Sequence, residues 1–134
     1  MCTDWPRAGH HIVNLRETIV ALRDDQFFPG WTVLALKRHE VEMYDLTPEE
    51  RTRVMEDVTD VARALAEVFQ ARKMNYALYG NQDPHMHWHV IPRLADDPAP
   101  LETPWNVAHA PIRLDPAALT ARVAQVGARL AIAV

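Results

Sequence analysis

The residues best suited to chemistry stand together in His85-Met86-His87-Trp88-His89-Val90-Ile91-Pro92. Side chains on an extended strand alternate between its faces, so the three imidazoles project on one side and Met86, Trp88 and Val90 on the other. The apolar side can pack. The imidazole side is costly to bury, and its rings recur about 6–7 Å apart along the strand. A neutral imidazole is a nucleophile that needs no separate base, since a pKa of about 6.5 leaves most of it unprotonated at pH 7. Two histidines at i and i+2 can also hold zinc, but three alternating positions lie almost in a line and cannot converge on one tetrahedral ion. A metal would take two of them at most, with another residue such as His39 completing the set. A merely solvated face is the third reading, and the apolar flanks argue against it.

The elements that must position this row can be read on either side of it. From His11 to Arg23 apolar and polar residues alternate, which suggests one or two strands, and Asp24-Asp25-Gln26 interrupts them. Phe27-Phe28-Pro29-Gly30 is a turn, its phenylalanines either core or an apolar slot for a base, and Trp31 to Lys37 is a further strand. Thr47-Pro48-Glu49-Glu50 starts a helix with a capping box and a proline in its first position. The apolar stripe Val54, Val58, Val61, Leu65, Val68 and Phe69 should cover one face of the sheet, with Glu56, Asp57, Asp60, Arg63 and Glu67 on a solvated side.

Met74 to Gly80 reads as a strand joined to the histidine strand by a short hairpin loop, Gly80 to Pro84. Asn81 and Gln82 then lie beside His85, where their amides can donate to phosphate oxygens. Pro92 should end the strand. The proline-rich stretch from residue 94 to 111 is a loop in which Trp105 packs on its own domain or a neighbouring subunit, as a lid or a dimer contact, and His109 reads as surface. Asp115-Pro116 opens a last helix with Leu119, Val123, Val126 and Leu130 on one stripe.

This order of elements gives an α+β class: a mainly antiparallel sheet of about five strands, one long helix and a C-terminal helix. A chain of 134 residues with 49% hydrophobic content is read as one domain, with residues 1–10 as an irregular arm and 94–134 as the proline-rich loop and last helix. The formal charge of −4 argues against a nucleic-acid partner, which needs clustered Lys and Arg, while a small phosphate-bearing ligand needs only local donors. A lone cysteine, Cys2, allows no internal disulfide, and no long apolar run stands out, so the protein is expected to be cytoplasmic with no membrane partner.

The pattern His, apolar, His, apolar, His, apolar, apolar at residues 85–91 resembles the signature of the histidine triad (HIT) family of nucleotide hydrolases and transferases. Leu78 to Pro84 before it and Ile91-Pro92-Arg93 after it look like the bacterial branch labelled diadenosine tetraphosphate hydrolase-like. Pro29-Gly30-Trp31, Lys37-Arg38-His39 and Asp45 to Glu50 follow the same order of elements. The resemblance implies a HIT-like fold, a homodimer, and cleavage at the α-phosphate of adenosine nucleotides such as dinucleoside polyphosphates. It assigns His87 as the nucleophile, His85 as its orienting residue and His89 as donor to the phosphate or departing oxygen. Asn81 and Gln82 are expected at the phosphate, and Asp24 or Asp25 at the ribose hydroxyls. Some members hold zinc with a Cys-x-x-Cys pair and two histidines, whose places His39 and His85 would take. Only Cys2 is present, so neither structural zinc nor any other cofactor is expected. A purine nucleoside phosphoramidase, a metal-dependent hydrolase and a non-catalytic nucleotide-binding module remain as alternatives.

Overall fold

The structure is a computed structural model that describes residues 4–133, so Cys2 lies outside the described residues. Five strands form one antiparallel sheet: β1 (His11–Asn14), β2 (Thr18–Leu22), β3 (Thr32–Leu36), β4 (Lys73–Ala77) and β5 (His87–Arg93). Their spatial order is β1-β2-β3-β5-β4, which places β5 inside the sheet between β3 and β4. Every pairing is antiparallel, with Val33 opposite His89 and Ala35 opposite His87 on one side, and Ala77 opposite His89 on the other.

Helix α1 (Pro48–Phe69) begins where the sequence places it. Thr47 accepts from the Glu50 N–H and the Glu50 side chain accepts from the Thr47 N–H, a closed capping box. The helix lays Val54, Val58, Val61 and Leu65 on the sheet, where they meet Val20, Leu34, Leu36, Met86, Trp88 and Val90 in one core cluster. This burial consumes the apolar face of the histidine strand and turns its imidazoles to the opposite face. Helix α2 (Pro116–Ala133) packs on α1 and β1 and adds Val126 and Leu130 to the same core.

Three expectations change. Asp57 does not lie on a solvated face: it is fully buried and accepts from the N–H groups of Arg16 and Glu17 and from the Thr18 hydroxyl. It sits where the β1–β2 turn crosses the helix, and a carboxylate there satisfies two backbone donors of the turn. Asp60 beside it is buried as well and pairs with Arg16.

Pro92 does not end the strand either, since β5 runs on to Arg93 with Pro92 opposite Met74. The Arg93 carbonyl accepts from Arg72 on the β4 side, so Pro92 turns its nitrogen to the other side, where β3 has already stopped at Thr32 opposite Val90. A missing N–H there costs the sheet no bond.

The link from β4 to β5 is longer than the hairpin expected, because Met86 bonds with Leu36 and Glu40 instead of with β4. Tyr79, Asn81, Gln82 and Asp83, outside both strands, border the imidazole face.

Candidate active site

His87 and His89 line a cavity of about 500 Å³ together with Arg23, Tyr79, Asn81, Gln82, Asp83 and Trp105. The Nδ1 of His87 lies 2.7 Å from the backbone carbonyl oxygen of His85. A carbonyl oxygen can only accept, so Nδ1 carries the proton and Nε2 is left with its lone pair, on a ring that borders the cavity. The middle histidine is thereby oriented by its own strand: two residues upstream, the backbone supplies the acceptor for its Nδ1.

His89 is held the other way round. The indole Nε1 of Trp31 donates to His89 Nδ1 at 3.0 Å, so the neutral ring carries its proton on Nε2. Trp31 and Trp105 set their rings nearly perpendicular to the imidazole, at centroid distances of 5.7 and 5.1 Å. Burial, helped by His87 and by the Arg23 guanidinium, pushes His89 down to about 4. It is therefore a neutral hydrogen-bond donor at physiological pH.

The His85 imidazole turns elsewhere. Its Nε2 lies 2.8 Å from the Leu36 carbonyl and its Nδ1 lies 3.1 Å from His39 Nδ1, so its part in the cavity is played by its backbone oxygen. His39 and His85 therefore meet ring to ring, at hydrogen-bond distance. Among the described residues no group of three or more His, Cys, Asp or Glu side chains converges as a metal site.

Asn81 and Gln82 are exposed at the cavity rim, where the sequence places them. Asp24 and Asp25 are not brought there. Asp24 pairs with Arg7 at 2.7 Å and approaches Arg113 at 3.6 Å on the outer surface. Asp25 is buried and accepts from the N–H groups of Phe27 and Ile112 and from His109 Nε2. His109 is consequently not a surface residue: it is stacked on Phe27 with centroids 3.9 Å apart, and both its nitrogens face oxygen acceptors. Phe28 packs in a small core cluster with Trp31 and Ile91, so no base slot forms from it.

The residue of this loop that does reach the cavity is Arg23, whose guanidinium lies over the Trp31 ring at 4.0 Å. Sequence reasoning missed Arg23 and the role of Trp31. Both are placed by Gln26, which is buried and donates to the carbonyls of Arg23 and Trp31 while accepting from Gly30 N–H. A buried glutamine inside a turn-like stretch is the signal that could have marked this loop as an organised structure.

Residues 7–96 match the family model of the HIT domain. The chain belongs to the HIT family. Among curated proteins, the asymmetrical bis(5'-nucleosyl)-tetraphosphatase of Schizosaccharomyces pombe is 32% identical over 74 residues, which make up 52% of this HIT chain and 41% of that protein. The chain thus matches less than half the length of that relative. Among solved structures, a histidine triad protein of Bradyrhizobium japonicum superposes with a TM-score of 0.82 at 28% identity, over 90% of this chain and 89% of the other. Another, from Marinobacter aquaeolei, gives 0.83 at 26% identity over 93% and 90% of the two chains. The α+β arrangement of this HIT chain, five antiparallel strands with a long helix and a C-terminal helix, is theirs as well.

Proposed function

We propose that this HIT protein cleaves or transfers adenosine nucleotides at the α-phosphate through a covalent nucleotidyl intermediate on His87. The observation that carries this reading is the 2.7 Å bond from His87 Nδ1 to the His85 carbonyl, which leaves the opposite ring nitrogen as a lone pair bordering a cavity. His87 Nε2 attacks the phosphorus in line with the leaving group. His89 offers its Nε2–H to a phosphate or departing oxygen, and the Asn81 and Gln82 amides and Arg23 supply further donors to the anion. Water then releases AMP and restores the ring. The sequence likeness to a bis(5'-nucleosyl)-tetraphosphatase supports a dinucleoside polyphosphate as substrate. Nothing in this sequence of steps requires a metal or a cofactor.

The reading is tested by turnover of pure protein on diadenosine tetraphosphate and related AMP conjugates, wild type against His87→Asn. Loss of product in the variant, with retained AMP binding by calorimetry, is the expected result and separates an enzyme from a binding module.

The partner in this reading is a second copy of the chain. β4 is an edge of the sheet, with Tyr76 and Leu78 exposed on and beside it. These residues border an apolar groove that Met55, Val58 and Trp88 continue toward α1. An uncovered edge with an apolar flank invites pairing with the same edge of another copy.

A further inference from the structure

The leaving group is selected by a residue outside the histidine row. We propose that Trp31 is a positioning residue for His89: its indole N–H fixes His89 as the Nε2–H tautomer, so the site gives the departing group a hydrogen bond but no proton. It therefore favours nucleotide conjugates whose leaving group departs as a stable anion over those whose leaving group is an amine. This inference rests on the His87 reading above.

The geometry leaves little freedom. An indole N–H can only donate, so the His89 nitrogen 3.0 Å from it must be an acceptor. Protonating that nitrogen would set two N–H groups against each other inside a buried contact. Trp31 cannot swing away to relieve this, because it is buried against Phe28 and Ile91 with the Arg23 guanidinium over its ring. Gln26 holds its carbonyl, and the Trp105 ring meets it edge to face at 5.3 Å. The charged and titratable groups that act on His89 are His87 and Arg23, and both oppose a further positive charge.

The consequence appears when the bonds are counted. His87 Nε2 gives its lone pair to Pα, and the bond from Pα to the bridging oxygen breaks with its pair on that oxygen. The His87 proton stays on Nδ1 against the His85 carbonyl. A polyphosphate leaves as an anion that is stable at neutral pH, with the Nε2–H of His89 as its donor. Water then adds to Pα, the Pα–N bond returns its pair to Nε2, one water proton goes to solvent and the other stays on AMP. With a phosphoramidate the same first step would expel an amide anion, which must take a proton as it leaves. Neutral His89 has none to give without becoming an anion itself, and Nδ1–H of His87 faces away. Arg23 adds a fixed positive charge on the same side, which suits an anion and not an ammonium.

The test compares kcat/KM for diadenosine tetraphosphate and adenosine 5'-phosphoramidate in wild type and Trp31→Phe, which keeps the ring and removes the N–H. Wild type is expected to favour the anhydride by about a hundredfold or more, and the variant to narrow that ratio at least tenfold, chiefly through a rise in phosphoramidate kcat toward acid pH. Independently of any variant, ¹⁵N spectra of the histidine-labelled wild type should show His89 as the Nε2–H tautomer, with no titration between pH 5 and 8. A His89 proton on Nδ1, a His89 titration near 6.5, or a wild-type ratio near one each overturns the inference even if Trp31→Phe does not fold. A folded variant with an unchanged ratio does the same. If no nucleotide is found on His87 during turnover, the underlying reading fails; if it is found and the ratio is near one, only the role of Trp31 falls.

Discussion

His87 and His89 face one cavity in opposite tautomers, with ring centroids 5.2 Å apart. One is held with a free lone pair by the His85 carbonyl, the other with a free N–H by the Trp31 indole. Neutral rings held in this way set a lone pair and an N–H side by side on one strand, toward one cavity. The rest of the fold keeps the surrounding loops in register with that pair.

Arg93 does so for the proline-rich loop. It is buried, and its guanidinium donates to the Asp97 carboxylate, to the Asn75 side chain and to the carbonyls of Ala99 and Glu102, which secures the segment that carries Trp105 over the cavity. Arg93→Ala leaves the Asp97 charge buried and several carbonyls unpaired, at an expected cost of about 3–5 kcal/mol. Urea unfolding measures the loss, and a rise in KM for nucleotide should accompany it as Trp105 loosens. A variant within about 1 kcal/mol of wild type would show that the loop is held by other contacts.

Acid should weaken the loop that holds Arg23. Burial pushes the Asp25 carboxyl up, but the N–H of Ile112, His109 and the N–H of Phe27 outweigh it and hold it below its ordinary value. A carboxyl depressed in the folded state contributes stability that is fully present above its unfolded pKa, about 3.9, and is lost as pH falls through the lower folded value. The urea midpoint should therefore drop below about pH 4. In Asp25→Asn the midpoint should already be lower at pH 7, and its further fall in acid should be shallower. Equal acid slopes in the two proteins would contradict this assignment.

Gly30 is the hinge between that loop and β3. Its φ is +90°, and an added Cβ would come within 2.6 Å of the Phe69 ring and 2.9 Å of Pro92. Gly30→Ala combines backbone strain with a clash and is expected to cost about 2–3 kcal/mol. Because Trp31 is the next residue, the His89 tautomer in ¹⁵N spectra should become mixed. An unperturbed spectrum in a folded variant would show that Trp31 is positioned by its other contacts alone.

What the sequence made legible follows from the range of each interaction. The alternation from His87 to Val90 and the capping box at Thr47 are local, decided within a few residues, and both could be read directly, whereas His85 precedes the strand and turns its ring to Leu36 and His39. Trp31 meets its histidine across 58 residues of chain, so only the pairing of β3 with β5 brings them together. Asp24 and Asp25 stand next to the cavity residue Arg23 in sequence, yet a turn stabilised by Gln26 sends their carboxylates outward and inward respectively, away from the histidines. Asp57 looked solvated because helical periodicity carries no information about which loop crosses the helix.

The uncovered edge at β4 yields an expectation about assembly. Sedimentation equilibrium should report a dimer for wild type at micromolar concentration, and Tyr76→Arg, which places like charges across a self-paired edge, should shift it to monomer. A monomeric wild type would set the edge-pairing proposal aside while leaving the histidine chemistry untouched.

The proposed reaction turns on a transient bond between His87 Nε2 and phosphorus. The most direct measurement is an acid- or denaturant-stopped turnover of diadenosine tetraphosphate followed by mass spectrometry of the peptide spanning residues 85–93. An AMP adduct on His87 is expected in wild type and not in His87→Asn, with a fall in kcat/KM of at least about a thousandfold in that variant. Turnover with no adduct on His87, or a His87→Asn variant that still turns over at the wild-type rate, would contradict it.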